Sequence, residues 1–122
     1  MIKLKDLLED IGSMPGEVIG KYTIKLGSNG GLIINLANVN RYTPIINIEH
    51  KKFARAFFEQ LQNLSKARLQ ERDYLNRGNS WEMRYNSKSD QIVISNNDRK
   101  AIFDGSVLPD IISAVYGIVN KM

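Results

Sequence analysis

Tyr22-Thr23-Ile24-Lys25-Leu26-Gly27-Ser28-Asn29-Gly30-Gly31-Leu32-Ile33-Ile34-Asn35-Leu36 holds two extended runs around a glycine-rich centre. Tyr22, Ile24 and Leu26 fall on one face and Thr23 and Lys25 on the other, the period-two pattern of a half-buried strand. Gly27 to Gly31 offers several positions able to take positive φ, and Leu32 to Leu36 resumes the extended pattern, so the two runs are predicted to pair as a β-hairpin. The same glycines do not form a phosphate loop: no Lys-Ser/Thr follows them, and they join strand to strand instead of strand to helix.

Upstream, Leu4, Leu7, Leu8 and Ile11 follow i, i+3, i+4, i+7 spacing until Gly12-Ser13-Met14-Pro15-Gly16 breaks it, which predicts a short amphipathic N-terminal helix. Acids interrupt its apolar residues, unlike the h-region of a signal peptide, so the segment reads as mature protein. Downstream, Arg41 to Ile48 is rich in Ile, Thr and Tyr and predicts a third strand, which Pro44 confines to an edge. From His50 onward Phe53, Phe57, Leu61 and Leu64 form a helical stripe flanked by Ala54, Phe58 and Ala67. With no Gly or Pro before Gly78, one long helix is expected.

The pattern then repeats. Trp81, Met83 and Tyr85 alternate with Glu82 and Arg84, Asn86 to Asp90 is turn-like, and Ile92 and Ile94 flank Val93, predicting a second hairpin. Asn96-Asn97-Asp98 is another turn, after which Lys100 to Phe103 adds a short strand. Ser106 is the expected N-cap of a final helix with Pro109 in its first turn and Val107, Ile111, Val115 and Ile118 on its apolar face.

The expected architecture is α+β: a short N-terminal helix, then two antiparallel meander-plus-helix units (α-βββ-α-βββ-α), with the helices packed on one face of the sheet. At 122 residues and 43% hydrophobic content, one domain over residues 1–122 is the economical count. The order of elements, a meander followed by a helix and then repeated, is similar to that of the whirly and Pur-alpha single-strand binders. Those families place four strands before each helix where three are counted here, and none of their sequence signatures matches, so no residue role is carried over.

Composition narrows function further. The chain has no cysteine, which excludes disulfides, a thiolate nucleophile and Cys-based zinc sites and fits a cytoplasmic location. No apolar run approaches the ~20 residues of a membrane span. Residues 51–77 hold seven bases against three acids, which accounts for the whole of the chain's net charge of +4. Such a concentration is the electrostatic footprint expected of a protein that meets a polyanion.

Candidate chemistry is sparse. His50, the only imidazole, lacks an orienting carboxylate, since adjacent Glu49 is poorly placed. The remaining carboxylates are scattered, no metal-ligand spacing occurs, and no cofactor is expected. The candidate nucleic-acid contacts are therefore cations: Lys51, Lys52, Arg55, Lys66, Arg68 and Arg72 on or near the long helix, and Lys25, Arg41 and Arg84 on strand positions opposite apolar residues. Arg68 is unusual because it projects close to the apolar stripe. Tyr42 or Trp81 would supply stacking, although Trp81 and Tyr85 share a face with Met83 and are expected in the core.

Two readings result. In the first the chain is a non-enzymatic module that binds single-stranded nucleic acid, marked by strong salt dependence. In the second it is a homo-oligomeric structural or protein-interaction subunit. Phe57 and Phe58, adjacent and about 100° apart on a helix, suggest that one ring reaches beyond the monomer's core.

Overall fold

The computed structural model describes residues 16–37, 44–78 and 80–122. The expected N-terminal helix, Arg41 and Tyr42 lie outside them. The described elements run β1 (Glu17–Ile19), β2 (Tyr22–Leu26), β3 (Leu32–Leu36), β4 (Ile46–Ile48), α1 (Lys51–Leu69), β5 (Tyr74–Gly78), β6 (Trp81–Asn86), β7 (Gln91–Asn96), β8 (Arg99–Asp104), a 3-10 turn (Gly105–Val107) and α2 (Leu108–Val119). The strands form two four-stranded antiparallel sheets, β1-β2-β3-β4 and β5-β6-β7-β8, so the fold is α+β.

The expected hairpin of residues 22–36 forms, and its register sets Tyr22 opposite Leu36, Ile24 opposite Ile34 and Leu26 opposite Leu32. Its turn uses Gly30 at φ +85°, and the Asn29 side chain accepts from the Gly31 amide at 3.1 Å. Only glycine takes that φ without strain.

Each helix is preceded by four strands where three were expected. The first addition, β1, is three residues long, too short for a visible alternation. The second, β5, lies where the helical stripe was extended towards Gly78. α1 stops at Leu69 because Glu71 adopts φ +54°, while the Glu71 amide donates to the Arg68 carbonyl at 3.0 Å and the Arg72 amide reaches the Ala67 carbonyl at 2.9 Å. This is a left-handed helix end, normally marked by glycine, and with Glu in that place the sequence carries no stop signal.

The final helix also starts differently. Ser106 lies in the 3-10 turn, where its amide donates to the Asp104 side chain at 2.9 Å. α2 begins two residues later with Pro109 in its first turn and no side-chain cap.

Inward residues alternate along the strands: Ile24, Ile34, Ile46 and Ile48 from the first sheet, Trp81, Met83, Tyr85, Ile92, Ile94 and Phe103 from the second. Together with the buried faces of both helices they form one continuous cluster. The helices are largely exchanged between the units: α1 lies along β5 and β6 and also touches β4, while α2 lies along β1, β2 and β3. Phe57 of α1 meets Trp81 edge-on at 5.4 Å between ring centroids. Tyr22 of β2 packs against Phe103 of β8 at 4.9 Å, and its hydroxyl accepts from the Ile102 amide at 3.1 Å. Neither meander closes its own core, so each requires the other's helix.

Candidate nucleic-acid interface

α1 buries Ala54, Phe57, Leu61 and Leu64, and a 100° step per residue turns Lys51, Lys52, Arg55 and Lys66 to the exposed side. Glu59 is the one acid interspersed among them. Among the described residues none of these four cations has an ion-pair partner. At 1.5 Å per residue, Lys51 and Lys66 are about 22 Å apart along the axis. The first turn of α1 has no acid and instead carries Lys51 and Lys52. Cations there oppose the helix macrodipole by about 0.3–1 kcal/mol each at low salt, so the arrangement sacrifices a little stability and concentrates positive potential at that end.

An aromatic pair borders this face. Phe58 lies three residues after Arg55 and seven after Lys51, spacings that place it on the same side of the helix. It is half-buried beneath Tyr116 of α2, with ring centroids 5.4 Å apart. Tyr116 itself is 54% exposed. Phe58 is therefore the ring that leaves the apolar stripe, and its neighbour is within the same chain. Tyr116 escaped the sequence reading, although its position next to Val115 and off the apolar face of α2 was a usable signal.

Arg68 belongs to a different arrangement. Its Nε and Nη2 donate to the two carboxylate oxygens of Asp90 at 2.9 and 3.1 Å, and the Tyr85 hydroxyl donates to Asp90 Oδ1 at 2.6 Å. The Arg68 and Tyr85 hydrogen bonds hold the Asp90 carboxyl at a pKa of about 2. Asp90 in turn raises Arg68, while burial and then Asp90 raise the Tyr85 phenol. The Asp90 carbonyl accepts from the Gly105 amide at 2.7 Å, and a Cβ on Gly105 would collide with Asp90 Oδ1. The cluster ties the end of α1 to the β6–β7 turn and to the start of the 3-10 turn. With its charge satisfied inside the chain, Arg68 serves a structural role here.

The other expected contacts are dispersed. Arg72 is exposed beyond the helix end and donates to the Gln70 side chain at 3.1 Å. Lys25 lies on the outward face of the first sheet opposite Ile33. Arg84 lies on the outward face of the second, 3.3 Å from Glu82, which also binds Arg77 at 2.8 Å. Trp81 and Tyr85 are buried, as their shared face with Met83 implied, and the Trp81 indole donates to Gln60 at 2.7 Å. His50 packs edge-on to Phe53 at 6.1 Å, on the rim of a cavity of about 340 Å³ shared with Glu49 and Trp81.

Among the described residues no helix is long and apolar enough to cross a membrane. Compared with protein-family models, curated proteins and solved structures, the chain matches none.

Proposed function

We propose that this chain is a non-enzymatic module that binds single-stranded nucleic acid along the exposed face of α1. The observation that carries the reading is the set of Lys51, Lys52, Arg55 and Lys66, unpaired among the described residues, beside the exposed ring of Tyr116. Single-strand binders combine a cationic track for the phosphates with an aromatic platform for a base, and both are sequence-tolerant. The order of elements lends support, since four strands before each helix is the order of the whirly and Pur-alpha single-strand binders.

The test is binding of a labelled single-stranded oligonucleotide across a salt series. Three or four phosphate contacts give a log–log salt slope of about −2 to −3 at ~0.7 per contact. Combined Lys51→Glu, Arg55→Glu and Lys66→Glu abolishes binding; the dipole favours the acid at position 51 and opposes the one at position 66 in the last turn by a similar amount, and far-UV circular dichroism establishes that the variant is folded. Tyr116→Ala weakens binding by about 1–3 kcal/mol while leaving the salt slope unchanged. Absence of binding even at low salt overturns the proposal.

A further inference from the structure

β5 is an outer strand of the second sheet, and among the described residues no strand pairs with its far side. The other edges are shorter or engaged. β1 and β4 have three residues each, and β8 has its Ile102 amide bonded to the Tyr22 hydroxyl. In the β5–β6 hairpin Gly78 closes against Trp81. With that pair hydrogen-bonded, the alternation of an antiparallel ladder turns the backbone groups of Leu75 and Arg77 to the open side.

The side chains along this edge are self-complementary. Leu75 is 51% exposed and begins an outward row that continues through Arg84, Val93 and Ile102. Arg77 stands two residues after it on the same face, and Asp73, exposed, stands two residues before it, immediately ahead of the strand. Asp73 uses Oδ1 to accept from the Ser87 amide and hydroxyl, and Arg77 uses Nε towards Glu82, so each keeps further hydrogen-bonding atoms for another partner.

We propose that two copies of this chain pair antiparallel along β5, with Leu75 of each opposite Leu75 of the other on a two-fold axis. In that register Asp73 of each copy faces Arg77 of the other, and the two sheets become one continuous sheet of eight strands. A register centred on Asn76 would set Leu75 against Arg77 and leave both charges without a complement, so charge selects the first. An open edge is ordinarily blunted by a lone charge; here the matched acid makes the edge a template for its own copy, as an isologous contact requires. A five-residue strand covers less than the ~1,600 Å² of a standard interface, so the dimer is expected at micromolar affinity or weaker. The inference is independent of nucleic-acid binding.

Sedimentation equilibrium of the full chain, from low micromolar to near-millimolar concentration, tests it. The wild type is expected to dimerise reversibly. Leu75→Pro removes a donor that faces away from β6, a place where an edge strand tolerates proline, and weakens association about tenfold or more. Arg77→Glu does the same by setting acid against acid, and adding Asp73→Arg to it restores the dimer. Far-UV circular dichroism and cooperative melting establish that each variant is folded, and Leu75→Pro decides if the charge variants are not. A wild type that stays monomeric throughout, or a dimer indifferent to Leu75→Pro, overturns the proposal.

Discussion

The two sheets share a topology and differ in what holds them. The first turns mainly isoleucine and leucine inward, its hairpin turn closes through Gly30 and the Asn29 side chain, and its one buried ring, Tyr22, bonds the Ile102 amide of the second sheet and not a helix. The second turns inward Trp81, Tyr85 and Phe103, and two of those rings carry polar atoms that bond elsewhere: Trp81 to Gln60 on α1, and Tyr85 to Asp90, which holds Arg68 at the end of the same helix. Aliphatic burial is non-directional, whereas a ring with a polar tip also specifies where its neighbour must stand. The second sheet is thus the one that sets the position of α1, and with it the direction in which the cationic face points.

The largest expected difference comes from removing the ring that joins α1 to the second sheet. Phe57→Ala costs about 3–5 kcal/mol and Ile34→Ala in the first sheet about 2–5 kcal/mol. Phe57→Ala is expected to be the greater of the two in urea denaturation because it also strips Trp81 of its packing partner. Equal costs would argue that both sheets rely on burial alone.

Two turn glycines come next, Gly105 of the 3-10 turn and Gly30 of the first hairpin. Gly105→Ala drives a methyl against the Asp90 carboxylate and costs about 1–3 kcal/mol by overpacking. At Gly30 a Cβ would meet nothing within 4 Å, so Gly30→Ala costs only the positive-φ strain, about 1 kcal/mol. Thermal melts of the two variants side by side resolve that ordering.

Acid sharpens the contrast. The Asp90 pKa is about 2 in the fold against an ordinary 3.8, so its contribution is fully present above pH ~4 and disappears as pH falls towards 2. Because this pair is partly exposed, screening limits the contribution to about 1 kcal/mol. Asp90→Asn is expected to flatten the fall in melting temperature between pH ~4 and ~2. Some slope survives through Asp73, whose carboxyl is lowered by the Ser87 amide and hydroxyl. An unchanged acid limb would remove Asp90 from the account.

The smallest expected effect lies at the end of α1. Glu71→Gly relieves a left-handed residue and raises stability by about 1 kcal/mol, readable as a modest gain in melting temperature with oligonucleotide binding unchanged.

Much of this molecule was legible in local pattern. The alternation from Tyr22 to Leu36, the shared face of Trp81, Met83 and Tyr85, and the stripe of Phe57, Leu61 and Leu64 each follow from the period of one element. Arg68 was visible as an anomaly against that stripe, although its partner was not. β5 stayed hidden because Glu71 stands where a glycine would have announced the helix end, and Tyr74 and Leu75 extend the helical apolar pattern past it. Within the candidate site, the exposed lysines and Arg55 followed from the helix wheel, but the ring of Tyr116 beside them did not.

Periodicity, turn chemistry and the placement of charge needed nothing beyond neighbouring residues, and they were enough for the two hairpins, the basic helix and the α+β class. The exchange of helices between the sheets, the Arg68–Asp90–Tyr85 cluster and the contact of Tyr22 with the Ile102 amide arose only on folding. Arg68 and Asp90 are 22 residues apart, and Tyr22 and Ile102 are 80 apart. Contacts at such separation depend on which apolar faces find each other in the collapsed chain, and no window of the sequence contains both partners.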